Sequence, residues 1–326
     1  MKISVCIPTF NAAAYIRDCI DSVLAQRGVE FEVIVFDNAS DDGTWAIIQS
    51  LSDPSIRAFR SDRNRGMAAN FNSVLNAANG EYIKLLCADD LLESGALEQQ
   101  ANFLDQHPEV AMTTSATRLI DADNKMLATV GWFSRPLVIE AMNLRTTSLI
   151  YGNIVGEPSA VLFRREAWLR AGPFRDGLVT LIDLDMWFRL SHQGSVGYLP
   201  LPLCRIRRHP LSMTNQFRKA GDVQAAVLQM TETLLHELQA SPLVRRIGLG
   251  KVAGSHLRHA LYGLACGHLK WPASALAAAF RIDPGFMGLF LYLAFFRSGL
   301  LGLSVSQDGK PTVCATSTLR CLSEAR

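Results

Sequence analysis

The chain lacks the marks of several large protein classes. Its formal net charge is only +2 over 326 residues, so bulk electrostatics give no sign of nucleic-acid binding. Seven cysteines, an odd number without a C-x-x-C pair, argue against a disulfide framework or a structural zinc site and suit a reducing compartment. No internal repeat is visible. The N-terminus runs from Met1 and Lys2 straight into an apolar stretch, without the apolar core and cleavage site of a signal peptide. A cytoplasmic protein is expected, with the inner face of the cytoplasmic membrane as the other location left open. One apolar run, Gly285 to Phe296, has twelve residues before Arg297 interrupts it, too few for a hydrocarbon core about 30 Å thick. Three readings of it stand: an interfacial helix, a buried packing helix or homo-oligomer contact, and a span that continues to Leu303. Arg245, Arg246, Lys251, Arg258, Lys270 and Arg281 precede it and suit anionic lipid, or equally a solvated face.

What the chain does have is 49% apolar composition, ample for a large core, and an alternation of two periodicities. Ile3 to Pro8, Val33 to Phe36 and Tyr82 to Leu86 are short apolar runs that read as buried parallel strands. Between them Ile16, Cys19, Ile20, Val23 and Leu24 recur at helical steps, as do Trp45, Ile48 and Leu51, then Met67, Phe71, Val74, Leu75 and Ala78. This order predicts an α/β fold: a Rossmann-like, mostly parallel sheet flanked by helices, with ligands outside the carboxyl ends of its strands. Thr9, Asp37 and Asp89 fall at such ends. Further on, the pattern predicts a hairpin around Asp121 to Lys125, a helix from Val138 to Leu149 and a strand from Ala160 to Arg164. A short helix from Arg165 to Arg170, a helix from Asp183 to His192 and an extended Val196 to Leu203 follow. Beyond Gly221 the sequence is helical. The expected organisation is a domain over 1–218, divided near 115, then a helical extension over 219–305 and a loosely ordered tail over 306–326.

Four segments carry candidate chemistry. Cys6 to Ile16 is a strand, a proline-stiffened turn and a helix entry, with Asn11 either a ligand contact or a plain helix cap. Val33 to Thr44 sends Asp37 off a buried strand into a polar turn. Its carboxylate can accept the imide N–H of a pyrimidine base or close an Asx turn, with Asp41 and Asp42 better placed to cap the next helix. Tyr82 to Leu92 ends a strand in two adjacent acids, Asp89 and Asp90. Their repulsion is offset by a divalent cation that also holds a diphosphate, unless Asp90 caps a helix and Asp89 is solvated. Arg205 to Ser212 is a basic loop, either solvated or aimed at phosphate.

These residues together resemble the inverting family-2 glycosyltransferases of the GT-A fold, over residues 3–215. The resemblance rests on Pro8 to Asn11, on Asp37, Asn38 and Ser40 to Thr44, on the Asn64, Arg65, Gly66 turn with Asn70 and Asn72 beyond, and on the acidic cluster after Leu86. It implies a transferase that moves a sugar from a nucleoside diphosphate donor, with UDP- or dTDP-sugars favoured. The acceptor it implies is a saccharide or lipid-linked saccharide hydroxyl in cell-surface polysaccharide or glycolipid synthesis. It further implies that Asp37 binds the base, that Pro8 and Thr9 line base and ribose, and that Asn11, Asn64, Gly66, Asn70, Ala88 and Asp90 belong to the donor site. Asp89 becomes the metal-binding acid for Mg2+ or Mn2+, His209 completes the metal or diphosphate site, and Arg207 or Arg208 neutralises phosphate. In Thr180 to Leu190, Asp183 aligns with the catalytic base, with Asp185 its competitor and a helix cap the plainer reading. At a helix start Asp183 is expected to stay ionised through the helix dipole. Trp187, Phe188 and Leu190 are expected in the core, and acceptor contacts from Glu157 to Arg164, Gly172 to Phe174 and around Trp132. The chain departs from the family at Cys87 and Ile182, where acids usually stand, which leaves a nucleotide-sugar-binding protein without turnover as the alternative. An NAD-dependent oxidoreductase is disfavoured because the first strand leads into Pro8, Thr9 and Phe10 and not into G-x-G-x-x-G.

Overall fold

The computed structural model describes residues 2–178, 181–210, 212–213, 222–265, 270–293, 301–305 and 311–315. The chain divides into two compact units: 1–141 with 155–178 and 182–216, and 142–154 with 179–181 and 217–326.

The first unit is built on one large mixed sheet. Strands β1 (Ile3–Thr9), β2 (Phe31–Asp37), β3 (Ile56–Arg60) and β4 (Tyr82–Leu85) pair in parallel in the order β3-β2-β1-β4. Helices α1 (Ile16–Leu24), α2 (Thr44–Gln49) and α3 (Met67–Asn76) make the crossovers. α1 buries Ile16, Cys19, Ile20 and Val23, the stripe its spacing predicts. The chain leaves β1 to build β2 and β3 on one side, then crosses to β4 on the other, which opens a crevice at the carboxyl ends of β1 and β4. Lys84 is the polar exception in β4; it is fully buried, and its Nζ donates to Gln100 Oε1 at 2.7 Å.

The sheet continues through β5 (Leu91–Leu92), α4 (Ala96–Gln106), β6 (Val110–Ile120), β7 (Met126–Val130) and β8 (Leu137–Ile139). After α5 (Ala141–Tyr151) come β9 (Leu162–Arg164), α6 (Arg165–Ala171), α7 (Ile182–Ser191) and the long β10 (Ser195–Arg207). β9 sits antiparallel between β4 and β6, and β10 runs parallel to β6. β6 and β7 form the hairpin expected at Asp121 to Lys125, and all five β7 residues are exposed. Val138 and Ile139 were expected to start a helix; Leu137–Ile139 is a strand instead, because the β-branched Val138 and Ile139 find backbone partners in β10, with Val196 opposite Ile139. β3 lacked a legible signal because an edge strand with exposed arginines has no apolar alternation.

The second unit holds most of α5, then α8 (Asp222–Glu237), α9 (Pro242–Ala265), α10 (Lys270–Ile282) and α11 (Met287–Leu291). A Cβ on Gly250 of α9 would fall on the backbone of Gly288 and Leu289, and one on Gly288 would fall on Arg246 O, so the two helices cross with main chains in contact. Asp283 fixes the entry to α11 by accepting the N–H groups of Gly288 and Leu289 at 3.1 and 2.7 Å. The tail departs from expectation. Pro311–Ala315 forms β12, antiparallel to β11 (Leu301–Val305) with Leu303 opposite Val313. Residues 316–326 lie outside the described residues. Among the described residues no helix is long and apolar enough to cross a membrane.

One close approach tests this packing. A Cβ on Gly80 would lie 2.6 Å from the backbone nitrogen of Ser4, where β1 and the entry to β4 meet. Gly80→Ala is expected to cost about 1–3 kcal/mol, because backbone on both sides must shift. Urea unfolding of the two proteins measures it, and an unchanged midpoint would refute the contact.

Candidate active site

At the crevice, the last pair of the β1–β2 ladder sets Thr9 opposite Asp37. Thr9 O accepts the N–H of Asn38 at 2.8 Å and the side-chain amide of Asn70 at 3.2 Å, which ties the strand end to α3. Asp37 is sealed from solvent. Its oxygens take the backbone N–H and hydroxyl of Ser40 and the Nε of Arg60, the last at 3.1 Å. A carboxylate offers about four acceptor directions, so these donors leave little room for another. The Asx-type turn is therefore present, alongside an ion pair from the unanticipated strand β3. Arg60 also lies over the Trp45 ring at 5.6 Å. Asp42, not Asp41, accepts the Thr44 N–H at 3.0 Å at the start of α2.

The turn after β3 is organised from the side. Asn64 Oδ1 accepts the Gly66 N–H at 2.9 Å and the Asn38 side-chain amide at 2.8 Å, and Gly66 takes φ 84° before α3. Asn11 stands at φ 49°, exposed; its backbone N–H reaches Ser40 Oγ and its side chain accepts the Asp41 N–H. It does not cap α1, which starts after Tyr15 with no side-chain cap. Asn70 Oδ1 is buried and has no hydrogen-bond partner among the described residues.

The acidic pair after β4 splits into two environments. Asp90 is 3% exposed; it receives the Ser159 hydroxyl at 2.5 Å and the Arg207 backbone N–H at 2.8 Å. Burial, and next the charge of Asp89, push its carboxyl well above the usual range. Asp89 remains partly open to solvent, with Oδ2 3.1 Å from His209 Nε2. Ser159 Oγ also accepts the Cys87 N–H at 3.0 Å, so one buried hydroxyl pins both ends of the Cys87 to Asp90 turn, with Ala88 inside it.

A thiol sulfur from Cys87 and carboxylate oxygens from Asp89 and Asp90 lie within 4.8 Å of one another. As a donor set for a divalent cation these three are unequal. Burial, then Asp90 and Asp89, raise the Cys87 thiol well above its ordinary value, and a thiol is a poor partner for Mg2+. Asp90 is engaged on both oxygens. Asp89 and His209 remain, a carboxylate and an imidazole on a partly open face. They fit a cation that completes its shell with diphosphate and water oxygens.

The third element is α7. Asp183 sits in its first turn, partly buried, with Oδ1 accepting the Leu184 N–H at 2.8 Å. Burial raises its carboxyl, the backbone bond opposes this, and the charge of Glu157 adds to the rise, for a pKa of about 6. The helix-dipole expectation is corrected here: desolvation outweighs it, although roughly nine-tenths of such a group is still ionised at pH 7. Asp185 is held by Arg189 at 2.8 Å and Arg175 at 3.2 Å, an occupied carboxylate. Trp187 is wholly buried and donates Nε1 to Gly156 O at 3.1 Å, a core role that anchors α7 beside Glu157.

Glu157 is the hinge of the constellation. It pairs with Arg208, and its charge bears on both Asp90 and Asp183. Asp89, Asp90, Asp183, Arg207, Arg208 and His209 are thereby gathered at one end of the first unit. Sequence reasoning gave no role to Tyr15 or Arg60 and took Ser159 only as part of an acceptor-contact segment, and none of the three stands in a motif by residue type. Thr180 and Leu211, from two of the segments read in the sequence, lie outside the described residues.

Comparison with known proteins agrees with this architecture. The model of glycosyl transferase family 2 matches residues 4–167. An uncharacterized protein of Mycobacterium tuberculosis is 36% identical over 215 residues, 64% of this chain and 67% of that protein. Chondroitin synthase of Pasteurella multocida is 30% identical over 202 residues, 60% of this chain, and the aligned region spans only 20% of that enzyme. Among solved structures, S. aureus TarS 1-349 in complex with UDP-GlcNAc gives a TM-score of 0.56 at 17% identity, over 97% of both chains. A mannosyltransferase from Pyrobaculum calidifontis in complex with GDP-Man and Mn2+ gives 0.54 at 18% identity, over 91% of this chain and 85% of that one. At those identities the likeness is one of fold, a GT-A fold. With half its length matched by the family model, the chain belongs to glycosyl transferase family 2 and is a glycosyltransferase.

Proposed function

We propose that the chain moves a sugar from a nucleoside diphosphate, uridine- or thymidine-linked, to a saccharide or lipid-linked saccharide hydroxyl with inversion at the anomeric carbon. The observation that carries this reading is the convergence of Asp183 and the Asp89–His209 pair around Glu157. The base and ribose lie at the carboxyl ends of β1 and β2 beside Asn11, over the floor formed by the buried Pro8, Thr9 and Asp37, where Asp37 acts by holding Ser40 and Arg60 and not by meeting the base, and Asn64, Gly66, Asn70 and Ala88 line the donor. Asp183 takes the acceptor proton as the oxygen attacks the face opposite the leaving group. Its pKa of about 6 suits a base at neutral pH. Arg208, half-exposed beside His209, offsets charge on the departing diphosphate. A divalent cation at Asp89 and His209 would supply further neutralisation of that charge. The acceptor lies towards Glu157, Phe174 and the exposed Trp132.

For the second unit we propose contact with an anionic membrane surface. Leu276, Phe280, Met287, Phe290 and Leu293 are exposed there, as are Arg245, Arg246, Arg258 and Arg281. A cleft of about 250 Å³ lined by Arg245, Arg246, Leu249 and Ile282 belongs to the same unit and is suited to a lipid headgroup.

Asp183→Asn is expected to lower kcat about 10²- to 10⁴-fold while the donor Kd changes less than twofold. Because the folded-state pKa is raised, the ionised form opposes folding, and stability falls as pH rises through about 6. The same variant should therefore gain about 1–2 kcal/mol at pH 7.5, a value reduced for partial exposure, as read by urea unfolding. The wild-type rate should drop about tenfold per pH unit below pH about 6. A variant that retains turnover would remove Asp183 as base.

Asp89→Ala should weaken Mn2+-dependent binding of the donor, and Cys87→Asp should tighten it by restoring a hard oxygen ligand. Calorimetric Mn2+ titrations that are the same in both variants and the wild type would remove Asp89 from the site.

Phe280→Ser with Phe290→Ser in the full chain should abolish co-sedimentation with phosphatidylserine vesicles. Binding that persists would overturn the membrane reading.

A further inference from the structure

Arg207 ends β10 next to the charges of the site, and as a cation it invites assignment to the diphosphate. Its surroundings say otherwise. The side chain is 2% exposed. Nε donates to Asp89 O at 2.8 Å, and Nη1 donates to Asp121 O and Ala122 O at 3.2 and 3.1 Å. The remaining Nη2 is buried and without a partner among the described residues, so it faces no solvent from which a phosphate would come. One face of the guanidinium lies 4.6 Å from the Tyr15 ring centroid, and that ring lies 5.0 Å from the His209 ring.

Two contacts thus lead from one planar group to the two cation-side residues, and a third ties it to a neighbouring turn. Nε fixes the main chain at Asp89, the Tyr15 ring carries the stack on to the His209 ring, and Nη1 holds the turn of the β6–β7 hairpin. The backbone N–H of Arg207 meanwhile bonds Asp90, so the turn bearing Asp89 is gripped from both the side chain and the main chain. Spanning these carbonyls while stacking on a ring requires a flat, rigid, multiply donating group. Lysine, a flexible point charge, does not supply that geometry.

We propose that Arg207 is a positioning residue that clamps Asp89 and, through Tyr15, His209 in the geometry that receives a divalent cation, and that it does not touch the diphosphate. This rests on the cation reading of Asp89 and His209 given above. Outer contacts of this type typically change metal affinity 10- to 100-fold when lost.

The test is Mn2+ titration of the full chain at saturating UDP, followed by water-proton relaxation, with thermal unfolding as the control for folding. Arg207→Lys and Tyr15→Leu are each expected to raise the Mn2+ Kd about tenfold or more. Tyr15 is half-buried, so its variant keeps the test open if Arg207→Lys fails to fold. Arg170→Lys, an exposed arginine of α6 paired with Glu166 and outside the site, should keep the wild-type Mn2+ affinity. If Arg207→Lys or Tyr15→Leu binds Mn2+ as the wild type does, and Arg207→Lys only weakens UDP at saturating Mn2+, the clamp is wrong and Arg207 is a phosphate contact. If wild type and Asp89→Asn both fail to bind Mn2+, the cation reading itself falls and the clamp with it.

Discussion

A buried carboxylate holds this site together. Asp90 reaches Ser159 in the segment before β9 and the backbone of Arg207 at the end of β10, joining chain segments 69 and 117 residues away. Burying such a group without partners would be costly, and each donor it meets is itself buried. The turn from Cys87 to Asp90 is therefore rigid. That rigidity leaves Asp89, the adjacent acid, as the member free to face solvent and a ligand. Of the two neighbouring aspartates, one is locked into the architecture and the other is left partly open.

The electrostatics follow from the same crowding. Asp89, Asp90, Glu157 and Asp183 crowd four carboxyl groups at the mouth of the crevice, and Arg207 and Arg208 at the end of β10 lie against them. Glu157 belongs to both sides, pairing with Arg208 while raising the carboxyls of Asp90 and Asp183.

The sheet was legible in the sequence where a strand is buried on both faces. β1, β2 and β4 are predominantly apolar runs, interrupted by the buried Ser4, Glu32 and Lys84, and α1 and α3 show their buried stripes by spacing alone. β3 was not legible, since Arg57 and Arg60 are exposed on it, and Arg60 became visible only as the partner of Asp37. Leu137–Ile139 was misread because its conformation is decided by pairing with β10, a contact local sequence does not encode. In the site, acids and basic residues at strand ends announced themselves by type. Ser159 and Tyr15 did not, because a serine in a loop and a tyrosine at a helix entry are ordinary residues until their neighbours are known. The sequence also overstated the helix dipole at Asp183, where surrounding bulk sets the sign of the shift.

The contact of α9 with α11 is made by main chain against main chain, with Gly250 and Gly288 at its centre and Gly254 beneath the Leu289 side chain. Any side chain at the two central positions would push the helices apart. Three glycines spaced across some forty residues thus form a fingerprint for this C-terminal module, separate from the motifs of the transferase unit. Chains that retain all three can be sorted from those that attach a different appendage to the same catalytic sheet.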